Sequence, residues 1–395
     1  MSVDTVRDRD RARGLVEARI GEFSERLLEL GRALHAEPEL SFEEHAAAAR
    51  LAELLEGAGF AVERGAYGLE TAVVGSYGSG DLTVGVCAEY DALPGIGHAC
   101  GHNVICAAGA GAAIGLAAAA EVLGIRVVLL GTPAEEAGGG KVLMLERGAF
   151  DGVTVAMMAH PAREDDVDPR SSTTSVSRFE VTFTGRSAHA ALAPEAGVNA
   201  GDAAVVAQVA VGQLRQQLRD GYRVAGVVRD GGERSNIIPE RTVLEWEVRT
   251  PTAEELAPLK ERVRACFEGA AIATGCSVSF RPTQPDYLDL RNDPWLMDAY
   301  AEGLRAAGRT LPPSAPVRLG ASTDMGNVTH ALPAIHPSIG ILGAEGSPHT
   351  REFARSTVGA AADDAVLAAA RAMAWTGVAV AADAERRAHY LSVRG

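Results

Sequence analysis

Leu82-Thr-Val-Gly-Val-Cys-Ala88, the alanine- and glycine-rich stretch 104–123, and Val127-Val-Leu-Leu130 follow one another along the chain. A short apolar run, a long helical stretch and a second apolar run are the strand, helix and strand of a parallel crossover. Further apolar runs at 71–75 and 153–158, with a helical stretch at 141–147, extend the alternation. The uncharged part of the long stretch, 104–120, is short for a membrane span and consists mainly of Ala and Gly, which transfer weakly into hydrocarbon. A helix buried against a sheet is expected there. Upstream, Leu15, Val16, Ile20, Phe23, Leu27, Leu30 and Leu34 recur at three and four, giving an amphipathic helix that ends before Pro38. Ser41 and Glu44 have capping-box spacing and predict a second helix through Leu51, Leu54 and Leu55 to Gly57 or Gly59. The fold class is α/β with a mostly parallel sheet.

The rhythm changes near Ser171. Strand patterns at 177–184, 222–229, 242–250 and 276–281 alternate with helical patterns at 198–219 and 253–273. The order β-α-β-β-α-β is a ferredoxin-like α+β unit, and its length suffices for an independent domain. After Pro285 the chain returns to helix at 296–307, a Gly/Ser-rich loop at 320–327, a strand at 338–342 and a long helix from Gly359. The first domain, 1–172 and 286–395, is thus interrupted by an insert at 173–285.

A chain of 395 residues suits two or three domains at roughly 100–200 residues each. With 47% hydrophobic and 23% charged residues it has the composition of a folded aqueous protein. The net charge of −15 argues against nucleic acid and against an anionic membrane as partners. The five cysteines are odd in number and dispersed, which reads as reduced thiols. The opening MSVDTVRDRDRARG is charged throughout and carries no apolar signal segment, so the cytoplasm is the expected compartment.

Chemistry-bearing residues gather after the predicted strands. His98-Ala-Cys-Gly-His102 follows the strand at 82–88, and Glu135-Glu136 follows the strand ending at Leu130. His160 follows the strand ending at Met158, and His349 lies in the loop 346–350. Alone, Cys-Gly-His would be a buried thiol beside a turn, and the carboxylate pair a solvated acidic cap. Together, Cys100, His102, Glu136, His160 and His349 supply the S, N and O donors of a hydrolytic site with one or two metal ions.

The run His35-Ala-Glu-Pro-Glu-Leu-Ser41, the segment Asp91-Ala-Leu-Pro94 before His98-Ala-Cys-Gly-His102, then Pro133-Ala-Glu-Glu136, Ala159-His160 and Gly185-Arg-Ser-Ala-His189 resemble, in order, the M20 metallopeptidase family. The likeness is to its amidohydrolase branch. Within that branch, 131–141, 322–327 and 349–353 resemble the aminobenzoyl-glutamate hydrolase and M20-domain-containing dipeptidase group. The resemblance implies a catalytic domain holding two divalent ions per subunit, Zn or Mn first and Co or Ni as options, and a homodimer formed through the inserted lid. It makes Cys100, His102, Glu136, His160 and His349 the metal ligands and Glu135 the general base. It implies that His189 reaches the partner subunit's site to stabilise the oxyanion, and that Asn236 and Arg249 bind the substrate carboxylate. From the residues alone, Arg249 could equally pair with Glu247. On the lid, Val205, Val209 and Leu214 are the apolar candidates for a two-fold contact. One departure stands out: where the branch usually carries Asp, this chain has Glu89.

The implied reaction is hydrolysis of an amide bond beside a free carboxylate, in a dipeptide, an N-acyl amino acid or an aminobenzoyl-amino acid conjugate. An aminohydrolase releasing ammonia from an aromatic amine, and a ligand-binding protein without catalysis, are the alternatives.

Overall fold

Ala12, Val16, Ile20, Phe23, Leu27, Leu30 and Leu34 form one buried stripe along helix α1 (Val3–Ala36) in the computed structural model, which describes residues 3–313, 315–317 and 319–393. Helix α2 (His45–Gly57) follows, but not through the Ser41/Glu44 capping box. The carboxylate of Glu39 instead accepts from the backbone N–H groups of Ala46 and Ala47, at 3.0 and 2.8 Å. Ser41 and Glu44 are drawn inward to other partners, described below.

The first unit continues through β1 (Ala61–Arg64), β2 (Val73–Gly78), β3 (Leu82–Ala88), α3 (His102–Leu123), β4 (Ile125–Gly131), α4 (Gly140–Glu146), β5 (Val155–Met157) and β6 (His160–Ala162). The second consists of β7 (Ser175–Thr184), α5 (Ala200–Arg215), β8 (Arg223–Asp230), β9 (Arg241–Thr250), α6 (Ala253–Thr274) and β10 (Ser277–Pro282). The chain then re-enters the first unit with α7 (Pro294–Ala306), α8 (Met325–Ala331), β11 (Ala334–Ile335), β12 (Ser338–Gly340), α9 (Arg351–Ser356), α10 (Ala360–Ala382) and α11 (Ala384–Ser392). Unit two spans Thr173–Asp289 and takes in Gly320–Ser322.

The larger sheet has the order β1-β2-β4-β3-β5-β11. Pairings among β4, β3, β5 and β11 are parallel, while β1 and β2 form an antiparallel edge. Every residue of β3 is buried, as a central strand covered on both faces requires. Helix α3 lies in the core against α1, β3, β4 and α10. Its glycines permit that approach: a Cβ on Gly115 would stand 2.8 Å from the Ile20 side chain, and one on Gly111 2.9 Å from the Cβ of Ala370. Helices α3 and α10 have the length and hydropathy of membrane spans, yet most of each is buried inside this unit.

The second unit has the sheet order β10-β7-β9-β8, antiparallel throughout, with α5 and α6 packed on it. This is the ferredoxin-like arrangement. Alternate residues of β7 and β9, among them Val181, Phe183, Leu244, Trp246 and Val248, enter a core centred on Phe267. Helix α5 turns Ala200, Ala203, Ala204, Ala207 and Val211 inward, leaving Val205 and Val209 each 59% exposed. Leu214 does not join that outer face; it packs partly buried against the core.

Candidate metal centre

The parallel strands β3, β4 and β5 end on one side of the sheet, where α/β folds build their sites. Beyond β3, Gly101 has φ +82°, and a Cβ there would stand 2.4 Å from the Pro161 ring. Only glycine fits between Cys100 and His102. His102 opens α3 and is fully buried; its Nδ1 lies 2.9 Å from Asp91 Oδ1. A carboxylate there assigns the proton to Nδ1 and turns Nε2 inward as a donor atom. Asp91 Oδ2 accepts from Ser41 Oγ at 2.8 Å and from the backbone N–H of Glu136 at 3.0 Å. Burial pushes the Asp91 carboxyl up, but His102 and these hydrogen bonds outweigh it and bring it down to about 2.

Beyond β4, Ala134 is held at φ +59°, a conformation costly for a residue with a side chain. Its N–H donates to the buried Glu44 carboxylate at 2.8 Å, and Glu44 also accepts from Thr71 Oγ1 at 2.8 Å. This bend sends both Glu135 and Glu136 inward. Glu136 Oε1 stands 3.8 Å from His102 Nε2, and its Oε2 stands 3.4 Å from His349 Nε2. His349 is also left-handed, with φ +69°, and its N–H is tied to the Ala99 carbonyl at 2.9 Å. His160, the first residue of β6, directs Nδ1 to the Pro161 carbonyl at 2.8 Å and Nε2 toward Cys100 Sγ at 3.3 Å.

All five residues read from the sequence as ligands therefore converge. Donor atoms of Cys100, His102 and His160 lie within 4.8 Å of one another, and so do those of Cys100, Glu136 and His349. Cys100 belongs to both groups, so its sulfur is placed to serve two ions. A third group joins His102, Glu135 and Glu136. His102 Nε2 and Glu136 Oε1 are buried without a hydrogen-bond partner among the described residues, as atoms reserved for a cation would be. Burial, then Glu89 and Glu136, pushes the Glu135 carboxyl well above its usual range. Burial lowers His102, yet Glu89 and Asp91 raise it more, so it lies well above an ordinary imidazole. Burial and the neighbouring His102 bring His160 down to about 4. Crowded carboxylates and imidazoles of this kind fit divalent metal held by S, N and O donors.

A buried partner of Glu89, and that partner's own partner, were not recognised as part of this centre from the sequence. The Lys141 ammonium contacts Glu89 Oε1 and, at 2.8 Å, Asp324 Oδ1, while Asp324 Oδ2 accepts from the Lys141 backbone N–H at 2.9 Å. A lysine after three glycines at the start of an apolar helix was the available signal.

In the second unit, His189 Nδ1 accepts from the backbone N–H groups of Ala191 and Leu192, at 3.2 and 3.1 Å. This leaves Nε2 of an exposed ring as the protonated nitrogen. The Ala190 N–H donates to the Asn236 carbonyl at 3.0 Å, so His189 and Asn236 are neighbours. They lie where Thr184 of β7 pairs with Arg241 of β9. Arg249 pairs with Val176 at the other end of β9, roughly 27 Å along the strand at about 3.4 Å per residue. The Arg249 guanidinium meets Glu247 through Nε at 2.9 Å and Nη2 at 3.2 Å, and Ser322 Oγ through Nη1 at 3.0 Å. The Glu247 pairing offered by the sequence is therefore present.

A centre of this donor set on an α/β sheet, in a chain with a ferredoxin-like insert, defines a metal-dependent hydrolase. Residues 172–274 match the family described as the peptidase dimerisation domain. The chain is 39% identical over 381 residues to the Xaa-Arg dipeptidase of Mus musculus, covering 92% of this chain and 87% of that one. It is 31% identical over 266 residues to a component chain of the p-aminobenzoyl-glutamate hydrolase of Escherichia coli, covering 62% and 55%. A solved structure from Bacillus subtilis, a dinuclear metal-binding peptidase of the M20 family, matches with a TM-score of 0.65 and 24% identity, covering 91% of this chain and 99% of that one. The chain belongs to the M20 family, and it is a metal-dependent amide hydrolase.

Proposed function

We propose that the chain is a homodimeric dipeptidase using two divalent ions per subunit, with a Glu general base and a substrate that carries a free carboxylate. The observation that carries this is the adjacent pair Glu135 and Glu136, bent into a buried group of Cys and His donors by the strained Ala134. Cys100, His102 and His160 would hold one ion, and Cys100, Glu136 and His349 the other. Thiolate and imidazole donors favour zinc; manganese, cobalt and nickel are the other candidates. Bound metal supplies polarisation of the scissile carbonyl and a more acidic water. Glu135 accepts the proton of the attacking water and returns it to the departing amine; its raised affinity for a proton suits both steps. Asp91 fixes the tautomer and direction of His102. His189 offers its Nε2–H to the carbonyl oxygen as that oxygen gains charge.

The lid supports the dimeric reading. His189 and Asn236 share one end of its sheet and Arg249 the other, so one lid serves two separate places. In a dimer, His189 and Asn236 would act at the partner's metal centre. Val205 and Val209 on α5, with Val227 and Val228 on the edge strand β8, are exposed apolar residues suited to that contact. Asn236 and Arg249 are assigned to the substrate carboxylate, which would compete with Glu247 for the guanidinium. Among dipeptides, those ending in a basic residue come first. The dipeptidase relative is named for such substrates, and a net charge of −15 draws in a cationic side chain.

A release assay over dipeptides, acylated amino acids, aminobenzoyl conjugates and aromatic amines, with Zn, Mn, Co and Ni supplied separately, tests the reading. Free amino acid from a dipeptide is the expected product. Ammonia alone, or no turnover by metal-loaded protein, would overturn it.

A further inference from the structure

Glu89 stands outside the five-donor set, yet it is fully buried and faces it. Its two carboxylate oxygens have different surroundings. Oε1 is taken by the Lys141 ammonium. Among the described residues Oε2 has no hydrogen-bond partner, and it lies 3.4 Å from His102 Nε2, which has none either. Two donors bound to one ion at about 2.0–2.1 Å and a tetrahedral angle stand about 3.3–3.4 Å apart. Cys100 Sγ and His160 Nε2, donors already assigned to that side, are separated by 3.3 Å.

Neutralising Lys141 does not account for Glu89. Asp324 already grips that lysine twice, through the ammonium and through the backbone N–H. With both carboxylates ionised against one ammonium, the trio keeps one negative charge, and it is presented toward His102. Such a charge at a fully buried position needs a positive partner: the His102 ring where it is protonated, and a bound cation where its Nε2 is a ligand.

We propose that Glu89 is a sixth ligand of the metal centre, binding through Oε2 on the His102 side, and that Lys141 is the positioning residue that turns this oxygen inward. The inference rests on the reading of the cluster as a metal site. Lys141 holds Oε1, Asp324 holds Lys141, and Oε2 is left with one direction to face.

The test uses full-length protein stripped of metal and titrated with Zn2+ against a chromophoric chelator, with bound metal counted by elemental analysis. Wild type should take up two ions per chain. Glu89→Gln should weaken the ion on the His102 side by about 10–100-fold. Glu89→Asp keeps the charge that faces Lys141, and with it the fold, but withdraws the oxygen by one methylene; it should weaken that ion too. Lys141→Met should act in the same direction, and adding it to Glu89→Gln should bring no further loss, because it acts through Glu89. Loaded with Co2+, the Glu89 variants should show visible bands shifted from wild type. Folded Glu89→Gln or Glu89→Asp protein with wild-type stoichiometry, affinity and Co2+ spectrum would overturn the proposal and leave Glu89 a counter-ion. Wild type that takes up no divalent metal would instead remove the metal-site reading beneath it.

Discussion

The metal centre and the lid residues place polar chemistry in opposite ways. Around His102, donors are buried, tied to Asp91, Glu44 and backbone amides, and close enough to share ions. On the lid, His189 and Asn236 are exposed, and Arg249 sits at the far end of the sheet. The first region gathers its candidate donors from one chain. The second presents His189 and Asn236 outward, and in the proposed dimer they would act when another copy meets them. In the proposed mechanism the buried donors would hold metal and move the proton, and the exposed groups would need a second copy.

The division of labour between the adjacent carboxylates should give the largest effect. Glu135→Gln is expected to keep its metal while turnover falls by about 10²–10⁴ or more. Glu136→Ala is expected to lose metal as well, since its oxygens lie beside His102 and His349. Elemental analysis beside a rate measurement separates the two, and the reverse pattern would break the assignment.

Disrupting the lid contact comes next. Val205→Asp with Val209→Asp should yield a monomer by light scattering, metal content intact, with turnover reduced about 10²–10³-fold through loss of an oxyanion donor. A monomer with full activity would show that the exposed groups do nothing in a partner.

Arg249→Lys should have a smaller consequence. An ammonium cannot reproduce the guanidinium fork, so about tenfold of catalytic efficiency should go, the scale of one charge-assisted hydrogen bond. Amidating the substrate's carboxylate should cost wild type more than this variant. Equal losses would leave Arg249 as the partner of Glu247 and Ser322 only.

Metal removal should register mainly in stability. Each ion at 100-fold above its Kd adds about 2.7 kcal/mol by mass action, and stripping both should lower Tm by about 5 °C or more. An unchanged Tm in protein shown to have lost its metal would mean that the charge crowding around Glu135 is relieved in some other way.

Much of this was legible in the sequence, because local patterns carried it. The strand-helix-strand rhythm of 82–130 and the β-α-β-β-α-β order of the lid are periodicities, and both stand in the structure. Cys100, His102 and Glu136 follow strands β3 and β4 of the larger sheet, which brings them to one end of it, while His160 lies in β6 of a separate two-stranded sheet and His349 in the loop 346–350. The Glu89-Lys141-Asp324 trio has no such pattern: its members are 52 and 183 positions apart, and only the packed core brings them together. The capping box at Ser41 failed for a related reason. Asp91 and Thr71, distant in sequence, compete for those side chains, and Glu39 takes over the helix start. Leu214 shows the same limit on a helix face, since apolarity alone does not say which side is covered.

The most direct measurement of whether the two regions act together across copies is subunit mixing. Inactive Glu135→Gln protein and inactive His189→Ala protein, fully exchanged at equal concentration, should regain about a quarter of wild-type activity: half of the dimers are mixed, and each mixed dimer has one site with both groups intact. No recovery, with mixed dimers confirmed by mass, would contradict the account and place His189 within its own chain or outside the reaction.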